Sequence, residues 1–174
     1  MKIIKEASVA WNPALVVLVS SFDSENNRGN IITIAWTGTI CSKPPQISVS
    51  MRPATHSHGL VKKTKDFVVN IPTLDQYDIS KKIGRVTGRK VNKFEEYNLT
   101  GIKGNHVSAP MIEECPINIE CKVVKEFELG THTMFIGEVI EIHVDEFLEH
   151  SLSIKPLVYS PKGGIFGYSN AIKK

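Results

Sequence analysis

Arg52, Thr55 and Ser57 lie between a run of β-branched and apolar residues, Gln46 to Met51, and a segment with the pattern of a short helix. The first backbone N–H groups of a helix have no partner inside the helix, and the helix dipole favours negative charge at that end. An arginine and two hydroxyl groups can add charge-assisted hydrogen bonds to an anion. The same residues are equally consistent with a simple N-cap at Thr55 and a solvated Arg52. The spacing thus predicts either an anion site or a cap at this junction.

The segment before this junction contains many small polar residues. Asn30 to Trp36 is a first β-branched run, and a polar stretch from Thr37 to Pro45 joins it to the run that begins at Gln46. This pattern predicts a strand, a loop and a second strand. A loop of small polar residues beside the junction is more than a cap requires, so the pattern favours a bound ligand.

Three further side chains are candidates for contact with that ligand. His132 lies at the apex between two predicted strands, where barrel side chains often point at a ligand, although a solvated turn histidine fits equally well. Trp36 either stacks on a planar ligand or belongs to the core. Cys41 has no base paired with it in the sequence, so an incidental small residue is favoured over a nucleophile.

The spacing of the six histidines predicts no metal site.

A polar, basic segment extends from Arg85 to Asn98 and contains Arg85, Arg89, Lys90 and Lys93. Segments of this length between ordered elements often lie over a binding site. The composition by itself favours a solvated loop over a phosphate contact. A non-enzymatic barrel that binds nucleic acid through this cluster is a third option, and the net charge of only +3 argues against it.

The elements that must position these residues are mostly short strands. Predicted strands cover Ala14 to Ser21, Asn30 to Trp36, Gln46 to Met51, Asp66 to Pro72, the alternating run from Ile117, and Thr133 to Val144. An amphipathic helix is predicted from Leu74 to Ile83, with Gly84 as its stop, and one helical turn within Asp145 to Ser151. So many strands with so few helices predict an antiparallel barrel, because closure removes exposed sheet edges. The lack of strand–helix alternation and of GxGxxG argues against a Rossmann domain.

Composition sets broad limits on the class of protein. A chain of 174 residues fits a single domain, 1–174, with a core that needs no disulfide or metal. The charged start contains no secretory h-region, and no apolar run approaches the length of a membrane span. Three cysteines without CxxC spacing indicate reduced thiols. We therefore expect a cytoplasmic protein with no membrane or nucleic-acid partner.

The order of motifs resembles the flavin reductase-like family of FMN-binding split barrels, which includes flavoredoxin-type proteins. The stretches that carry this resemblance are N-I-I-T-I-A-W, S-K-P-P-Q-I-S-V-S, R-P-A-T-H-S, D-F-V-V-N-I-P, G-R-K-V-N-K-F and G-T-H-T-M-F-I-G-E-V-I, which begin at residues 30, 42, 52, 66, 88 and 130. The resemblance implies a mainly β fold, a six-stranded antiparallel Greek-key split barrel with a few short helices. It also implies a homodimer with FMN near the subunit interface.

The resemblance further implies which residues bind the cofactor. The isoalloxazine ring would be lined by Trp36, Thr37, Gly38, Thr39 and Cys41, and the ribityl phosphate would be held by Ser50, Arg52, Thr55, His56 and Ser57. Lys90 would be a further cofactor contact, and His132 would lie near the exposed ring face as the catalytic candidate. Arg52 is expected to matter more than Arg89, since only Arg52 adjoins the predicted helix start.

As an activity, the resemblance implies transfer of a hydride from NADH or NADPH to the flavin, and delivery of electrons to a second acceptor, either a small molecule or a redox protein. The sequence has no recognisable nucleotide fingerprint for a nicotinamide donor. The alternative is therefore a flavoredoxin-like FMN electron-transfer protein without strong nicotinamide activity.

Overall fold

The computed structural model describes residues 4, 6–8, 13–148, 154–160 and 164–167. Its strands are β1 (Ala14–Leu15), β2 (Val17–Asp23), β3 (Arg28–Ile34), β4 (Thr37–Ser42), β5 (Pro45–Met51), β6 (Asp66–Ile71), β7 (Gly101–Ile102), β8 (Met111–Ile112), β9 (Ile117–Leu129), β10 (His132–Val144), β11 (Leu157–Ser160) and β12 (Gly164–Gly167). Its helices are α1 (His56–Thr64), α2 (Tyr77–Ile83) and α3 (Lys93–Glu96), with 3-10 turns at Leu74–Gln76 and Glu146–Leu148. Within these residues no helix has the length and apolarity needed to cross a membrane.

The main sheet has the strand order β3-β2-β6-β9-β10-β5-β4, and every pair in it is antiparallel. Its two edge strands, β3 and β4, are consecutive in the chain and separated only by Ala35 and Trp36. The backbone N–H of Ser50 donates to the carbonyl of Trp36 at 2.9 Å, across the join. The sheet therefore closes on itself, and β3 and β4 act as one bent strand of a six-stranded barrel.

The connection from β5 to β6 makes the barrel a Greek key. The chain leaves β5, forms α1 and enters β6, which pairs with β2 and β9 instead of returning beside β5. This long connection across one end of the barrel fits the Greek-key arrangement. The mainly β, six-stranded antiparallel barrel with a few short helices is thus confirmed.

Strand β2 is buried on both faces. Val17 and Val19 point into the barrel with Phe67 and Phe135, whereas Leu18 packs on the other side in a second apolar cluster. Burial on both faces explains why this strand has a continuous apolar run in the sequence instead of an alternating one.

Two segments differ from the sequence prediction. Thr37–Ser42 was expected to be a loop but is strand β4, paired with β5 through a tight turn at Lys43 and Pro44. Its small polar residues resemble turn formers, yet threonine is also favoured in strands, and pairing with β5 satisfies the backbone.

The second difference lies in the segment Arg85 to Asn98, which is not wholly irregular. It contains α3, whose N-cap Asn92 accepts a hydrogen bond from the backbone N–H of Phe94 at 3.3 Å. Phe94 packs into the second apolar cluster, so the segment is anchored to the core.

A small sheet of order β1-β11-β12 lies beside the barrel. The sequence has two short apolar pieces here, Leu157 to Tyr159 and Ile165 to Tyr168. Strands β11 and β12 contain their described residues, since Tyr168 lies outside the described part of the chain. The helical turn predicted within Asp145 to Ser151 is a 3-10 turn at Glu146–Leu148, and residues 149–151 also lie outside the described part.

Gly137→Ala is expected to destabilise the barrel. A Cβ atom at this position would lie 2.5 Å from Cζ of Phe67 and 2.8 Å from Cβ of Cys121, so the core would be overpacked. We expect a loss of about 1–3 kcal/mol in the free energy of unfolding, measured by urea denaturation. Gly59→Ala is the matched control because a Cβ there meets nothing within 4 Å and lies in α1, where alanine is favoured over glycine. Equal unfolding free energies for the two variants would contradict this packing.

Candidate functional site

A cavity of about 270 Å³ lies at the N-terminus of α1. The residues around it are Ile32, Arg52, Ala54, Thr55, His56, Ser57, Ile83, Gly84, Arg85, Val86, Thr87, Gly88 and Lys93. This set contains two arginines and a lysine but no carboxylate, as far as the described residues show. We call this the smaller cavity, and its charge is suited to an anion.

Thr55 is the N-cap of α1. Its hydroxyl oxygen accepts from the backbone N–H of His58 at 3.4 Å, and the hydroxyl donates to the carbonyl of Arg52 at 2.8 Å. The N-cap interpretation is therefore confirmed. Because its proton is already donated, the Thr55 hydroxyl would have to rotate before it could donate to an anion. The N–H groups of His56 and Ser57, in the first turn, have no partner within the helix.

Ser57 is a hydroxyl prepared to donate. Its oxygen accepts a hydrogen bond from the side-chain amide of Asn30 at 2.7 Å, and both residues are buried. The same amide also donates to the hydroxyl oxygen of Ser21 at 3.3 Å. Since Ser57 is the acceptor in this contact, its own proton is available for a ligand in the smaller cavity.

His56 is held by a buried carboxylate. Its Nε2 lies 3.2 Å from Oδ2 of Asp23, whose side chain is almost fully buried. Burial alone would raise the pKa of Asp23, but hydrogen bonds from Asn26 and His56 outweigh it and lower that pKa. Asp23 is therefore an anion at neutral pH and fixes the orientation of the His56 ring.

Lys93 places a buried amine at the smaller cavity. It is only 3% exposed, and its Nζ donates to the carbonyls of Ile31 at 2.8 Å and Ile83 at 2.9 Å. Burial lowers the pKa of Lys93 to about 8. The solvated-loop interpretation is therefore wrong for this member of the basic cluster, because α3 carries the lysine into the interior.

A second cavity, of about 750 Å³, adjoins the first and is called the larger cavity here. Its lining is Val16, Thr33, Ile34, Ala35, Trp36, Ser50, Arg52, Tyr77, Lys81, Gly84, Arg85, His132, Tyr159, Gly164 and Ile165. Arg52, Gly84 and Arg85 line both cavities. The two cavities are therefore neighbours, and we call the pair the cleft: the smaller cavity is its basic end and the larger cavity its aromatic end.

Trp36 and His132 form the aromatic part of the larger cavity. Their ring centroids are 4.2 Å apart and the ring planes are tilted by 47°. Burial lowers the pKa of His132, and the positive charge of Arg52 lowers it further. The ring is therefore neutral at pH 7, with Nδ1 at 2.8 Å from the hydroxyl of Thr131.

The structure brings some of the expected site residues together and leaves others apart. The larger cavity is lined by Trp36, Ser50, Arg52 and His132, and the smaller one by Arg52, Thr55, His56 and Ser57. Neither cavity is lined by Thr37, Gly38, Thr39, Cys41 or Lys90. The first four belong to edge strand β4, on which Gly38 and Thr39 are exposed and Thr37 and Cys41 are half-buried, and Lys90 is exposed.

The expectation that Arg52 alone adjoins the helix start is wrong. Arg89 Nη1 donates to the carbonyl of Ala54 at 3.1 Å, directly before the N-cap. The two arginines differ instead in their relation to the cavities, because Arg52 lines both cavities whereas Arg89 lines neither.

Sequence reasoning missed several residues of the larger cavity, notably Tyr77, Lys81 and Tyr159. Tyr77 and Lys81 lie one turn apart on α2, with Nζ of Lys81 3.2 Å from the Tyr77 hydroxyl. In the helical spacing of this segment, Tyr77 falls with the apolar residues Leu74, Ile79 and Ile83, and Lys81 falls on another face. Nothing in that pattern separates a solvated lysine from one that lines a cavity.

A separate cluster brings Glu120, Glu141 and His143 together, on the neighbouring strands β9 and β10. His143 Nε2 is 2.7 Å from Oε1 of Glu120. Oε1 also accepts from the backbone N–H of Asn105, and Oε2 accepts from those of His106 and Val107. Burial raises the pKa of Glu120, but these hydrogen bonds lower it more. The carboxylate is thus saturated with donors, which is typical of a structural role.

Comparison with known proteins agrees with this geometry. Residues 10–164 match the family model of the flavin reductase like domain. A ferric-chelate reductase (NAD(P)H) of Archaeoglobus fulgidus is 34% identical over 73% of this chain and 73% of its own length. An uncharacterized protein of the same organism is 37% identical over 69% of this chain and 68% of its own length. The flavoredoxin of Desulfovibrio vulgaris (Miyazaki F) superposes with a TM-score of 0.89 at 30% identity, and the match covers 100% of this chain and 97% of that one.

The chain belongs to the flavin reductase-like family. Its relatives in this family include oxidoreductases, so the resemblance inferred from the sequence motifs is confirmed.

The titration of Lys93 gives a pH test of the site. Between pH 8 and the ordinary lysine value near 10.5, the unfolded chain binds a proton that the folded chain has released. The free energy of unfolding should therefore rise with pH in this window, by about 1–2 kcal/mol between pH 7.5 and 9.5 relative to Lys93→Met.

Urea denaturation at the two pH values measures this difference. Lys90→Met is the control because Lys90 is exposed, so it should keep the pH dependence of the unmodified protein. If Lys93→Met also kept the pH dependence of the unmodified protein, the amine of Lys93 would not have the lowered pKa that its burial predicts.

Proposed function

We propose that the protein binds FMN in this cleft and acts as an NAD(P)H-dependent oxidoreductase that passes electrons to a second acceptor. One observation carries the proposal: the donor-rich smaller cavity at the start of α1 adjoins the aromatic larger cavity and shares Arg52, Gly84 and Arg85 with it. A phosphate ester attached to a flat redox ring needs this combination of a basic end and an aromatic end.

The smaller cavity fits a phosphate monoester. The N–H groups at the start of α1, the free proton of Ser57 and the cation of Arg52 are donors, and a dianion needs several of them. Each charge-assisted hydrogen bond contributes about 1.5–3 kcal/mol, so the site needs the whole set for nanomolar binding at about 12 kcal/mol. Carboxylates that would repel the phosphate are absent from the described lining.

The larger cavity fits the ring. Its volume lies within the usual range for small-molecule sites, and Trp36 and His132 supply flat surfaces. Bound FMN would supply hydride and single-electron chemistry that side chains lack. His132, neutral at pH 7, would orient a substrate beside the ring as a hydrogen-bonding group and would not act as a strong acid.

A homodimer would explain why part of the expected ring site lies outside the cleft. Thr37, Gly38, Thr39 and Cys41 are on β4, beside the exposed Ile40. Strand β10 also exposes Ile140, Ile142 and Val144 on one face. We propose that a second copy covers these apolar residues and brings β4 of one subunit towards the FMN of the other, with Lys90 as a peripheral contact.

A flavoredoxin-like electron carrier is the second candidate. It is favoured by the structural match to a flavoredoxin over the whole chain, whereas the nicotinamide-dependent function is favoured by the ferric-chelate reductase relative. The two functions differ in whether NADH or NADPH reduces the bound flavin directly.

Anaerobic reduction of the FMN-loaded protein separates them. We expect either NADH or NADPH to bleach the flavin absorption within seconds, in parallel experiments with FMN and FAD as the added flavin. Slow bleaching by both donors, with rapid reduction by a reduced redox protein, would select the electron carrier. A protein that gains no flavin absorption with FMN or FAD would refute both functions.

Arg52→Ala is expected to weaken FMN binding by at least about tenfold, because a charge-assisted contact to the phosphate is lost. Arg89→Ala removes the same charge but affects only the contact with the Ala54 carbonyl, so its dissociation constant should stay within about threefold of the unmodified protein. Fluorescence quenching of FMN on titration measures both constants. Equal losses in the two variants would place the phosphate elsewhere.

A further inference from the structure

The larger cavity contains a positive charge that the phosphate of FMN does not explain. Arg52 and Arg85 line both cavities and can serve the phosphate, whereas Lys81 lines only the larger one. The larger cavity has no carboxylate among its described lining residues. Under the proposed function, on which this inference rests, Lys81 is therefore a cation beside the ring and away from the phosphate.

Lys81 is held in place without a carboxylate partner. Its Nζ lies 4.7 Å from the centroid of the Tyr77 ring and 3.2 Å from the Tyr77 hydroxyl, one turn earlier on α2. The ion pairs found among the described residues do not include it. A lysine fixed by a tyrosine keeps its full positive charge available to a ligand in the cavity.

The position of Lys81 matches the place where a second substrate must bind. Residues of α2, together with Tyr159 of β11 and Ile165 of β12, line the larger cavity. The barrel residues Trp36 and His132 line it as well. A molecule that exchanges electrons with the ring has to enter this same space. Any anionic group on it would be attracted to the positive charge of Lys81.

We propose that Lys81, held by Tyr77, selects an anionic co-substrate and contacts its phosphate or carboxylate groups. Two sources have this chemistry: the pyrophosphate of a nicotinamide dinucleotide donor, and the carboxylates of a chelated metal acceptor. Lys81 is a specificity-determining residue and takes no part in electron or proton transfer itself.

The test compares three variants of the FMN-loaded protein. Lys81→Met removes the charge, Lys81→Arg keeps it, and Lys82→Met makes the same change at the neighbouring exposed lysine, outside both cavities. The donor arm measures anaerobic flavin reduction against the concentration of NADH and of NADPH. The acceptor arm uses protein reduced with dithionite and measures reoxidation by ferric citrate and by neutral benzoquinone.

We expect Lys81→Met to raise the apparent dissociation constant of NADH, NADPH or ferric citrate by about fivefold, the size expected for one partly buried ion pair. The limiting rate, the FMN affinity and the reaction with benzoquinone should stay within about twofold, as should all constants of Lys81→Arg and Lys82→Met. The arm that responds identifies the source of the anion.

Equal constants for Lys81→Met and Lys82→Met in both arms would overturn this inference while leaving FMN binding intact. An equal loss with benzoquinone would overturn it too, because a neutral acceptor does not need the charge. Failure of the unmodified protein to bind FMN is a different result, since it removes the proposed function itself.

Discussion

The bend at Ala35 and Trp36 is the constraint on which the site depends. On one side of it β3 pairs with β2, on the other β4 pairs with β5, and the Ser50–Trp36 hydrogen bond spans the join. One continuous segment thereby closes the barrel and carries Ile32 to the smaller cavity and Trp36 to the larger one. Arg52 directly follows β5 and lines both cavities, so the closure of the barrel between this segment and β5 holds the two ends of the cleft together.

Charge is the second organising feature. The ammonium group of Lys93 is buried beside the smaller cavity, and such burial is costly without a counterion. The protein offsets part of that cost with hydrogen bonds to two carbonyls and a lowered pKa at Lys93, whereas Arg52 and Arg85 are exposed. A buried positive charge that lowers the stability of the folded protein becomes favourable when an anion binds beside it. This exchange of stability for affinity is expected at binding sites and explains why a lysine lies where the core would prefer an apolar residue.

Much of the fold was predictable from local pattern. The β-branched runs indicated the strands, Gly84 marked the end of α2, and the apex at Gly130 formed a hairpin turn with φ +61. The strand β4 was missed because threonine and glycine serve both turns and strands. The buried lysine of α3 was missed because a basic composition is typical of loops, and only packing of Phe94 against the second apolar cluster carries that segment inward.

The sequence by itself determined that the strand after Gln46 ends at a helix whose first turn can hold an anion, since Arg52, Thr55 and Ser57 are neighbours in the chain. Only the tertiary structure decided which distant residues join them. Lys93, Lys81 and His132 reach the cleft because barrel closure and the packing of α2 and α3 bring separate segments together. Local spacing cannot contain that information, because it depends on contacts between residues far apart in the chain.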